Sequence, residues 1–258
     1  MSQPDTQISR FEPVLFTSQG YIVRKGLISQ PMIERLKTAA EEALDPLIGP
    51  VEFEAEVGYP GAPATRESSG GDTPRRLLHA CARDAIFSDL ATAQPIRDTL
   101  VAVMGTQDVQ LSQNHHNCVM TKHPGYSSST SWHQDIRYWS FDQAELVSIW
   151  CALGNETREN GALSVIPGSH VVEVDRGRLD RDLFLRTDLE ENQSLLDRQV
   201  QVELDAGDVM FFHCRLFHAA GRNESDAVKF SAVFTYHDGD NHPIPGTRSD
   251  RYPSIRLT

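Results

Sequence analysis

The spacing of hydrophobic and polar positions divides the chain into a helical first part and a second part built from short strands. A run of β-forming residues at 20–23 predicts a short strand, and hydrophobic side chains at helical spacing over 32–43 predict an amphipathic helix after it. A second helical region is predicted over 84–104, with Pro95 breaking it into two pieces. Residues 54–75 are rich in Gly, Pro, Ser and charged side chains, which predicts a mobile loop.

From about residue 107 the pattern changes to short runs of β-forming residues between turn signals. The predicted strands are 108–121, 146–153, 162–166, 200–204, 208–214 and 228–236. Residues 173–199 interrupt them with charged, leucine-bearing sequence, which predicts a helical insertion or lid. Strands at this spacing favour a sandwich or barrel. We therefore expect a mainly β protein with flanking helices, a single domain over 1–258 in which a helical section (about 1–106) packs outside a jelly-roll core (about 107–240).

Composition and charge narrow the classes of function. The chain has 258 residues, of which 39% are hydrophobic, so it is long enough to bury a core without disulfides or a structural metal. Its formal net charge of -12 argues against nucleic acid as a partner, because phosphate binding depends on patches of Lys and Arg. No apolar run is long enough to cross a bilayer, and residues 1–10 lack the apolar core of a signal peptide. We expect a cytoplasmic monomer or homodimer that acts on a small molecule and not on a membrane.

The four cysteines lie far apart and form no CxxC pair. That spacing is typical of neither a zinc site nor a dense disulfide framework. We expect buried, reduced thiols at Cys81, Cys118, Cys151 and Cys214.

The segment 131–135, Ser-Trp-His-Gln-Asp, carries the sharpest chemical signal in the chain. On an extended strand residues i and i+2 point to the same side, so His133 and Asp135 can present an imidazole and a carboxylate to one metal ion. Such a pair occurs by chance in many chains, and an exposed polar strand end is the ordinary explanation when nothing else matches. The assignment of a metal site therefore depends on a third ligand from elsewhere in the chain.

The candidate third ligands are His213 and His218. Residues 206–213 are predicted to form a turn followed by a buried strand; His213 ends that strand and His218 follows it. They are five residues apart and would face opposite sides of a regular strand, so only one of them can bind the metal. We favour His213 as a core residue or as a residue that supports a metal ligand without binding the metal itself. Two histidines and one carboxylate on one face of an octahedron leave three open positions, which suits iron(II) oxygenases. The adjacent His115 and His116 cannot both face such a site if their segment is extended, and the functional alternative is that one of them lines the pocket.

Several motifs, taken in order, resemble the phytanoyl-CoA dioxygenase family of iron(II)/2-oxoglutarate oxygenases. The resemblance covers most of the chain, and its motifs are modest singly but specific in their order and spacing. They are Phe16, Gly20–Val23, Trp132–Asp135, Trp150–Leu153, Glu159–Leu163, Ile166–His170, Gly207 to His218, and Gly221–Asn223. The resemblance implies a double-stranded β-helix, a cupin-like jelly-roll, with His133, Asp135 and His218 as catalytic iron ligands. It also implies 2-oxoglutarate and O₂ as co-substrates.

The resemblance also bears on the co-substrate. Halogenating relatives lack the carboxylate ligand, so the presence of Asp135 favours hydroxylation. Trp150 and residues on the strand from Gln113 to Cys118 are implied to flank 2-oxoglutarate. Family members usually carry an arginine eleven residues after the last histidine, on the distal carboxylate of the co-substrate, and that position is Lys229 here. A lysine pairs with a carboxylate as a point charge, without bidentate geometry. Either Lys229 serves, with Arg76 or another basic residue assisting, or the site has lost or changed its co-substrate; we favour the first.

The candidate substrate contacts near the triad are Asn114, Arg137 and Tyr138. Arg137 lies two residues past the carboxylate ligand and would hold an anionic substrate group if it shared that face of the strand. A surface arginine at the strand end is the ordinary alternative. The loop 54–75 and the insertion 173–199 are expected to form the lid that selects the substrate.

The sequence therefore predicts an Fe(II)/2-oxoglutarate-dependent dioxygenase that hydroxylates a small molecule with release of succinate and CO₂. The alternatives are a cupin-like metal-binding protein without oxygenase activity and an oxygenase with an altered co-substrate. A metal-dependent isomerase or hydrolase is disfavoured, because no further carboxylate or histidine is placed as a general base.

Overall fold

The computed structural model describes residues 12–59 and 61–258, so the polar segment 1–10 lies outside the described residues. The helices are α1 (Glu12–Gln19), α2 (Gln30–Glu42), α3 (Ala80–Arg83), α4 (Ala85–Ala91), α5 (Gln94–Met104) and α6 (Glu190–Leu196). The strands are β1 (Tyr21–Arg24), β2 (Val51–Phe53), β3 (Pro74–Leu78), β4 (Val109–Lys122), β5 (Thr130–His133), β6 (Leu146–Ala152), β7 (Leu163–Val165), β8 (Val200–Gln201), β9 (Val209–His213), β10 (His218–Ala220), β11 (Lys229–Asp238) and β12 (Ile255–Arg256). Within the described ranges, no helix is long and apolar enough to cross a membrane.

Two antiparallel sheets form the centre of the fold. The larger sheet has the order β1-β9-β6-β11-β4-β3-β2, with β12 also paired to β4, and the smaller sheet has the order β5-β10-β7-β8. Met210 and Phe212 of β9 share one buried cluster with Leu163 and Val165 of β7, which shows that the two sheets face each other. The predicted jelly-roll core with helices outside it is therefore confirmed.

Strand β11 places alternate side chains on the two faces of the larger sheet. Successive side chains of a strand point to opposite faces. Phe230 and Ala232 belong to the hydrophobic cluster that includes buried residues of α2, α4 and α5, whereas Val233 belongs to the cluster between the sheets. Lys229 and Ser231 share the alternation of Val233, so this strand brings polar groups to the interior face of the sheet.

Helix α2 packs on the outer face of the larger sheet as its hydrophobic spacing predicts. Ile33, Leu36 and Ala40 are buried, at the spacing of one helix face. Pro31 occupies the first turn, where a missing N–H costs no helical hydrogen bond. Ser29, the N-cap residue of this helix, is extended but makes no side-chain hydrogen bond to it.

The elements that the sequence pattern missed are mostly short. The helical region 84–104 is confirmed as α4 and α5, separated just before Pro95, and the long strand predictions are confirmed as β4, β6, β9 and β11. The pattern missed α1, α3, β2, β3, β10 and β12. Strands of two to five residues show too few alternations for periodicity to detect. The section predicted as helical consequently also supplies β2 and β3 to the larger sheet.

The insertion 173–199 is largely irregular, with α6 near its end. Its Leu185 and Leu195 pack with Trp132 and Phe217 in a buried cluster. Because these partners adjoin β5 and β10, the insertion lies against the strands of the smaller sheet.

Strand β4 carries a large irregularity in the middle of its ladder. In its pairing with β11, Phe234 lies opposite Asn117, but the next residue, Thr235, lies opposite Ser112. Residues 113–116 therefore have no partner in β11 and form a bulge. Their side chains are released from the strict alternation of a strand.

The bulge holds the chain segment that follows residue 248. Nδ2 of Asn114 donates to Ser249 O at 2.8 Å and to Tyr252 O at 2.7 Å, and its Oδ1 accepts from Tyr252 N at 2.8 Å. A further contact of 2.8 Å joins Nε2 of His115 to Ser249 Oγ. Arg248, directly before this segment, lines the central cavity.

We expect Asn114→Ala to lower the free energy of unfolding by about 1–3 kcal/mol, because partners of a buried side chain would lose their hydrogen bonds. Amide hydrogen exchange at 249–252 should rise at the same time. Urea unfolding and exchange measured by mass spectrometry test both effects. Gln107→Ala, at an exposed glutamine, is the control and should change stability by roughly 0.5 kcal/mol or less. Unchanged exchange at 249–252 in Asn114→Ala would contradict the role of this side chain.

Candidate metal centre

Three metal-binding side chains meet where β5 and β10 pair. His133 ends β5, Asp135 begins the short 3-10 turn that follows, and His218 begins β10 directly opposite His133. Their ligand atoms lie within 4.8 Å of one another, and all three residues are buried. Nε2 of His133 lies 3.7 Å from Oδ1 of Asp135, and Nε2 of His218 lies 3.6 Å from the same oxygen. The structure thus brings together the three predicted ligands.

Backbone carbonyls orient both imidazoles. Nδ1 of His133 lies 2.9 Å from Ser131 O, and Nδ1 of His218 lies 3.0 Å from Leu216 O. A carbonyl oxygen only accepts, so each Nδ1 donates its hydrogen and each Nε2 keeps its lone pair on the side of Asp135. Oδ2 of Asp135 is buried and has no hydrogen-bond partner among the described residues. Two imidazole nitrogens and a carboxylate with a spare oxygen fit an iron(II) ion.

Burial and mutual contact set the charge state of this cluster. Burial by itself raises the pKa of Asp135, but the neighbouring imidazoles outweigh it and hold the pKa below its usual value. Burial, and then the neighbouring His133, lower the pKa of His218 to about 4. At neutral pH the carboxylate is therefore ionised and the His218 imidazole neutral, as metal binding requires.

The other histidines near the site differ in their positions. His115 and His116 both line the cavity, because the β4 bulge releases them from strand alternation, so the expectation for an extended segment does not apply. Nδ1 of His116 lies 3.6 Å from Oδ2 of Asp135. His213 lies outside the cluster, with its Nε2 3.0 Å from Oε2 of Glu145. Of the two candidate third ligands, His218 and not His213 therefore joins His133 and Asp135.

A cavity of about 280 Å³ extends from the triad between the two sheets. Most of the predicted co-substrate and substrate contacts line it: Arg76, Gln113, Asn114, Cys118, Tyr138, Trp150 and Lys229. Their place in the cavity wall is compatible with the predicted roles, and contact with a ligand remains a prediction.

Two of these side chains are engaged with other residues of the cavity wall. Nη1 of Arg76 lies 3.3 Å from Oε1 of Glu52. Burial by itself lowers the pKa of Arg76, but Glu52 and the further acidic groups around it, Tyr59, Cys118 and Tyr138, together outweigh burial, so the pKa lies above its usual value. The hydroxyl of Tyr138 lies 3.3 Å from that of Tyr59. Burial, and then Tyr59, raise the pKa of Tyr138. Tyr59 belongs to the loop 54–75 and lines the cavity, so this loop forms part of the cavity wall. Its action as a lid remains a prediction.

Arg137 is a predicted substrate contact that does not line the cavity. Residues Asp135–Tyr138 form a 3-10 turn and do not continue β5, so the rule that i and i+2 share a face no longer applies there. The guanidinium lies over the ring of Phe184, 3.9 Å from its centroid, and over that of Tyr138 at 4.5 Å. Its contact with an anionic substrate group remains a prediction without support from this geometry.

Lys229 faces the interior but is paired with a carboxylate that the sequence interpretation did not identify. Its Nζ lies 2.8 Å from Oε2 of Glu156. The same carboxylate accepts from Ser231 Oγ at 2.6 Å and from Trp150 Nε1 at 2.9 Å. Glu156 lies in the turn after β6, and no sequence pattern distinguishes it from the exposed Glu159 three residues later. The charge of Lys229 is therefore balanced within the protein.

Comparison with known proteins agrees with the motifs. Residues 16–231 match the profile of the phytanoyl-CoA dioxygenase (PhyH) family. The human peroxisomal phytanoyl-CoA dioxygenase is 29% identical over 140 residues, which are 50% of this chain and 40% of that protein. The ectoine dioxygenase of Sphingopyxis alaskensis is 24% identical over 254 residues, covering 92% of this chain and 78% of that protein. The chain thus spans about half the length of the phytanoyl-CoA dioxygenases that it matches.

Solved structures agree on the fold. EctD from S. alaskensis with 2-oxoglutarate and 5-hydroxyectoine superposes with a TM-score of 0.75 at 22% identity, covering 100% of this chain and 89% of that chain. The epimerase SnoN in complex with Fe³⁺, alpha ketoglutarate and nogalamycin RO has a TM-score of 0.71 at 20% identity, covering 95% and 94%. At these identities the likeness shows the fold, and the predicted double-stranded β-helix is confirmed. Since the family profile also spans most of its length, the chain belongs to the phytanoyl-CoA dioxygenase family.

Proposed function

We propose that the protein is an iron(II)/2-oxoglutarate-dependent dioxygenase that hydroxylates a small molecule. The observation that carries the proposal is the buried cluster of His133, Asp135 and His218 in the wall of a cavity of about 280 Å³. Family membership supports the reaction class, and the EctD and SnoN structures contain 2-oxoglutarate.

The triad would hold iron(II) from one side and leave the cavity side open for other ligands. When bound, iron supplies the site at which O₂ and 2-oxoglutarate yield succinate and CO₂ while the second oxygen atom enters the substrate as a hydroxyl group. The chain contributes orientation, because the carbonyls of Ser131 and Leu216 fix both imidazole rings. With iron bound, the carboxylate of Asp135 would take the ligand position that halogenating relatives leave free for chloride, which favours hydroxylation over halogenation.

The cavity wall suggests how the two organic ligands share the space. We place 2-oxoglutarate against Cys118 and Trp150, on the interior face of the larger sheet, and the substrate against Asn114 and Tyr138 near the closing segments. A cavity of about 280 Å³ is at the lower end of ligand pockets, which favours a compact substrate over an acyl-CoA. A cytoplasmic location and a monomeric or homodimeric state are proposed from composition alone.

The two alternatives to this function do not have equal support. Family membership disfavours a cupin-like metal-binding protein without oxygenase activity. An oxygenase with an altered co-substrate retains support from one observation, the neutralisation of Lys229 by Glu156.

Anaerobic visible spectroscopy with iron(II), before and after addition of 2-oxoglutarate, tests the proposal. We expect a new charge-transfer band, because the 1-carboxylate and 2-oxo group of the acid would chelate the metal. Succinate release and O₂ uptake with candidate substrates follow as the activity assay. His133→Ala should lose iron and the band, whereas His242→Ala, at an exposed histidine, should retain both. Stoichiometric iron without a band would reject 2-oxoglutarate as the co-substrate.

A further inference from the structure

Five buried charged side chains form a cluster at the end of the cavity where β4 and β11 pair. Their exposed fractions are 6% for Arg75, 8% for Lys122, 5% for Lys229, 1% for Glu54 and 1% for Glu156. The three basic residues line the cavity, and Lys122 lies directly opposite Lys229 in the β4–β11 ladder. Three positive and two negative side chains leave this cluster with one unbalanced positive charge.

The ion pairs identify Lys122 as the unbalanced member. Lys229 pairs with Glu156 at 2.8 Å, and Arg75 pairs with Glu54 at 3.2 Å. The ammonium of Lys122 donates to the carbonyls of Ser128, at 3.1 Å, and Gly221. Within residues 12–59 and 61–258, no carboxylate lies within ion-pair distance of it.

The two carboxylates of the cluster cannot turn to Lys122 without losing other partners. Glu54 also accepts from the backbone N and the hydroxyl of Ser128, at 3.1 and 2.6 Å. Glu156 is held in the same way by Ser231 and Trp150. The deficit of negative charge is therefore built into the folded chain.

A buried cation without a counter-charge is unfavourable, and it becomes favourable when an anion arrives. Burial, and then Arg75 and Lys229, lower the pKa of Lys122 well below its usual value. An anionic group in the cavity would reverse that effect. Arg75 adds a second donor, because its Nε is buried without a partner among the described residues.

We infer that Lys122, and not Lys229, receives the distal carboxylate of the 2-oxo acid that this cavity binds. The inference rests on the proposed function and refines it. Glu156 stands in for that carboxylate at Lys229, so the lysine at the position of the family arginine has become part of the cavity wall. Arg76 is a poorer candidate, since Glu52 already balances its charge.

A pair of ligands that differ only at the far end tests this assignment. 2-Oxoglutarate and 2-oxopentanoate have the same chain length and chelating end, but the second lacks the distal carboxylate. Their affinities are measured anaerobically with iron(II) from the charge-transfer band and by calorimetry, with no turnover required. For the parent protein we expect 2-oxoglutarate to bind at least about tenfold more tightly, a difference of about 1.4 kcal/mol.

Two sets of variants distinguish the contribution of Lys122 to 2-oxoglutarate binding from that of Lys229. Lys122→Met, with Lys122→Gln as a second neutral variant, should remove the preference for 2-oxoglutarate and leave 2-oxopentanoate binding within about twofold. The double variant Lys229→Met with Glu156→Gln, which removes a balanced pair, should keep the preference. Urea unfolding of each variant confirms that the compared proteins are folded.

The outcomes distinguish this inference from the proposed function. A band in neither acid with the parent protein would reject the proposed function. A band with both acids and equal affinity would show that no carboxylate subsite exists, and would overturn the inference alone. The inference also fails if Lys122→Met keeps the preference while the double variant loses it, because Lys229 would then be the anchor.

Discussion

Replacing Asp135 with alanine is expected to abolish iron binding and turnover. The variant leaves two imidazoles as ligands and removes the only carboxylate of the described triad. Changes to residues that merely support a metal ligand weaken metal affinity by about 10–100-fold, so loss of the ligand itself should exceed about 100-fold. Iron content after anaerobic reconstitution, together with succinate formation, measures both effects.

Asp142→Ala is the matched control for this variant. Asp142 is an exposed carboxylate seven residues later in the chain, and its removal should leave iron content unchanged. An Asp135→Ala protein that kept full iron and full turnover would show that the metal lies elsewhere. Thermal unfolding of both proteins without metal separates loss of the ligand from loss of the fold.

Lys229→Met is expected to lower the free energy of unfolding by about 3–5 kcal/mol. The change leaves the carboxylate of Glu156 buried without its cation, and an uncompensated buried charge is strongly unfavourable. Ser231 and Trp150 would still donate to this carboxylate, but neither carries a charge. Urea unfolding of the metal-free protein measures the loss.

Adding Glu156→Gln to Lys229→Met should recover most of the lost stability, because the amide still accepts hydrogen bonds and no carboxylate is left without its cation at this position. The exposed pair Arg186–Asp188, at 2.6 Å, provides the control. Arg186→Met should cost about 0–1 kcal/mol, since water and salt screen an exposed pair. A loss of under about 1 kcal/mol in Lys229→Met would mean that Glu156 does not remain a buried anion.

The sequence was sufficient to predict the triad and the larger elements. A His-x-Asp pair on an extended segment indicates two candidate ligands, and the resemblance to the family implies His218 as the third. The same local rule failed at Arg137, because the chain leaves the extended conformation at Asp135 and forms a 3-10 turn. Local rules hold only as far as the element that supplies their periodicity.

The sequence pattern could not predict features that depend on contact between two distant segments of the chain. Glu156 meets Lys229 across 73 positions, and no local spacing in the sequence links the two residues. The bulge over 113–116 exists only relative to β11, in which these residues have no partner. The sequence shows an uninterrupted run of β-forming residues there, so it does not reveal the bulge. The sequence pattern did not distinguish Lys122 for the same reason, because this residue stands out only through the absence of a carboxylate partner within the described part of the chain.

The position of Cys118 bears on how such a protein withstands its own chemistry. This residue is 3% exposed and lines the cavity, and burial raises the pKa of its thiol to about 11. Oxidants attack the thiolate form, which is scarce at neutral pH when the pKa is this high. In the proposed oxygenase, a sulfur atom in the wall of an oxygen-activating chamber is thus kept in its least reactive state, which limits oxidative self-inactivation.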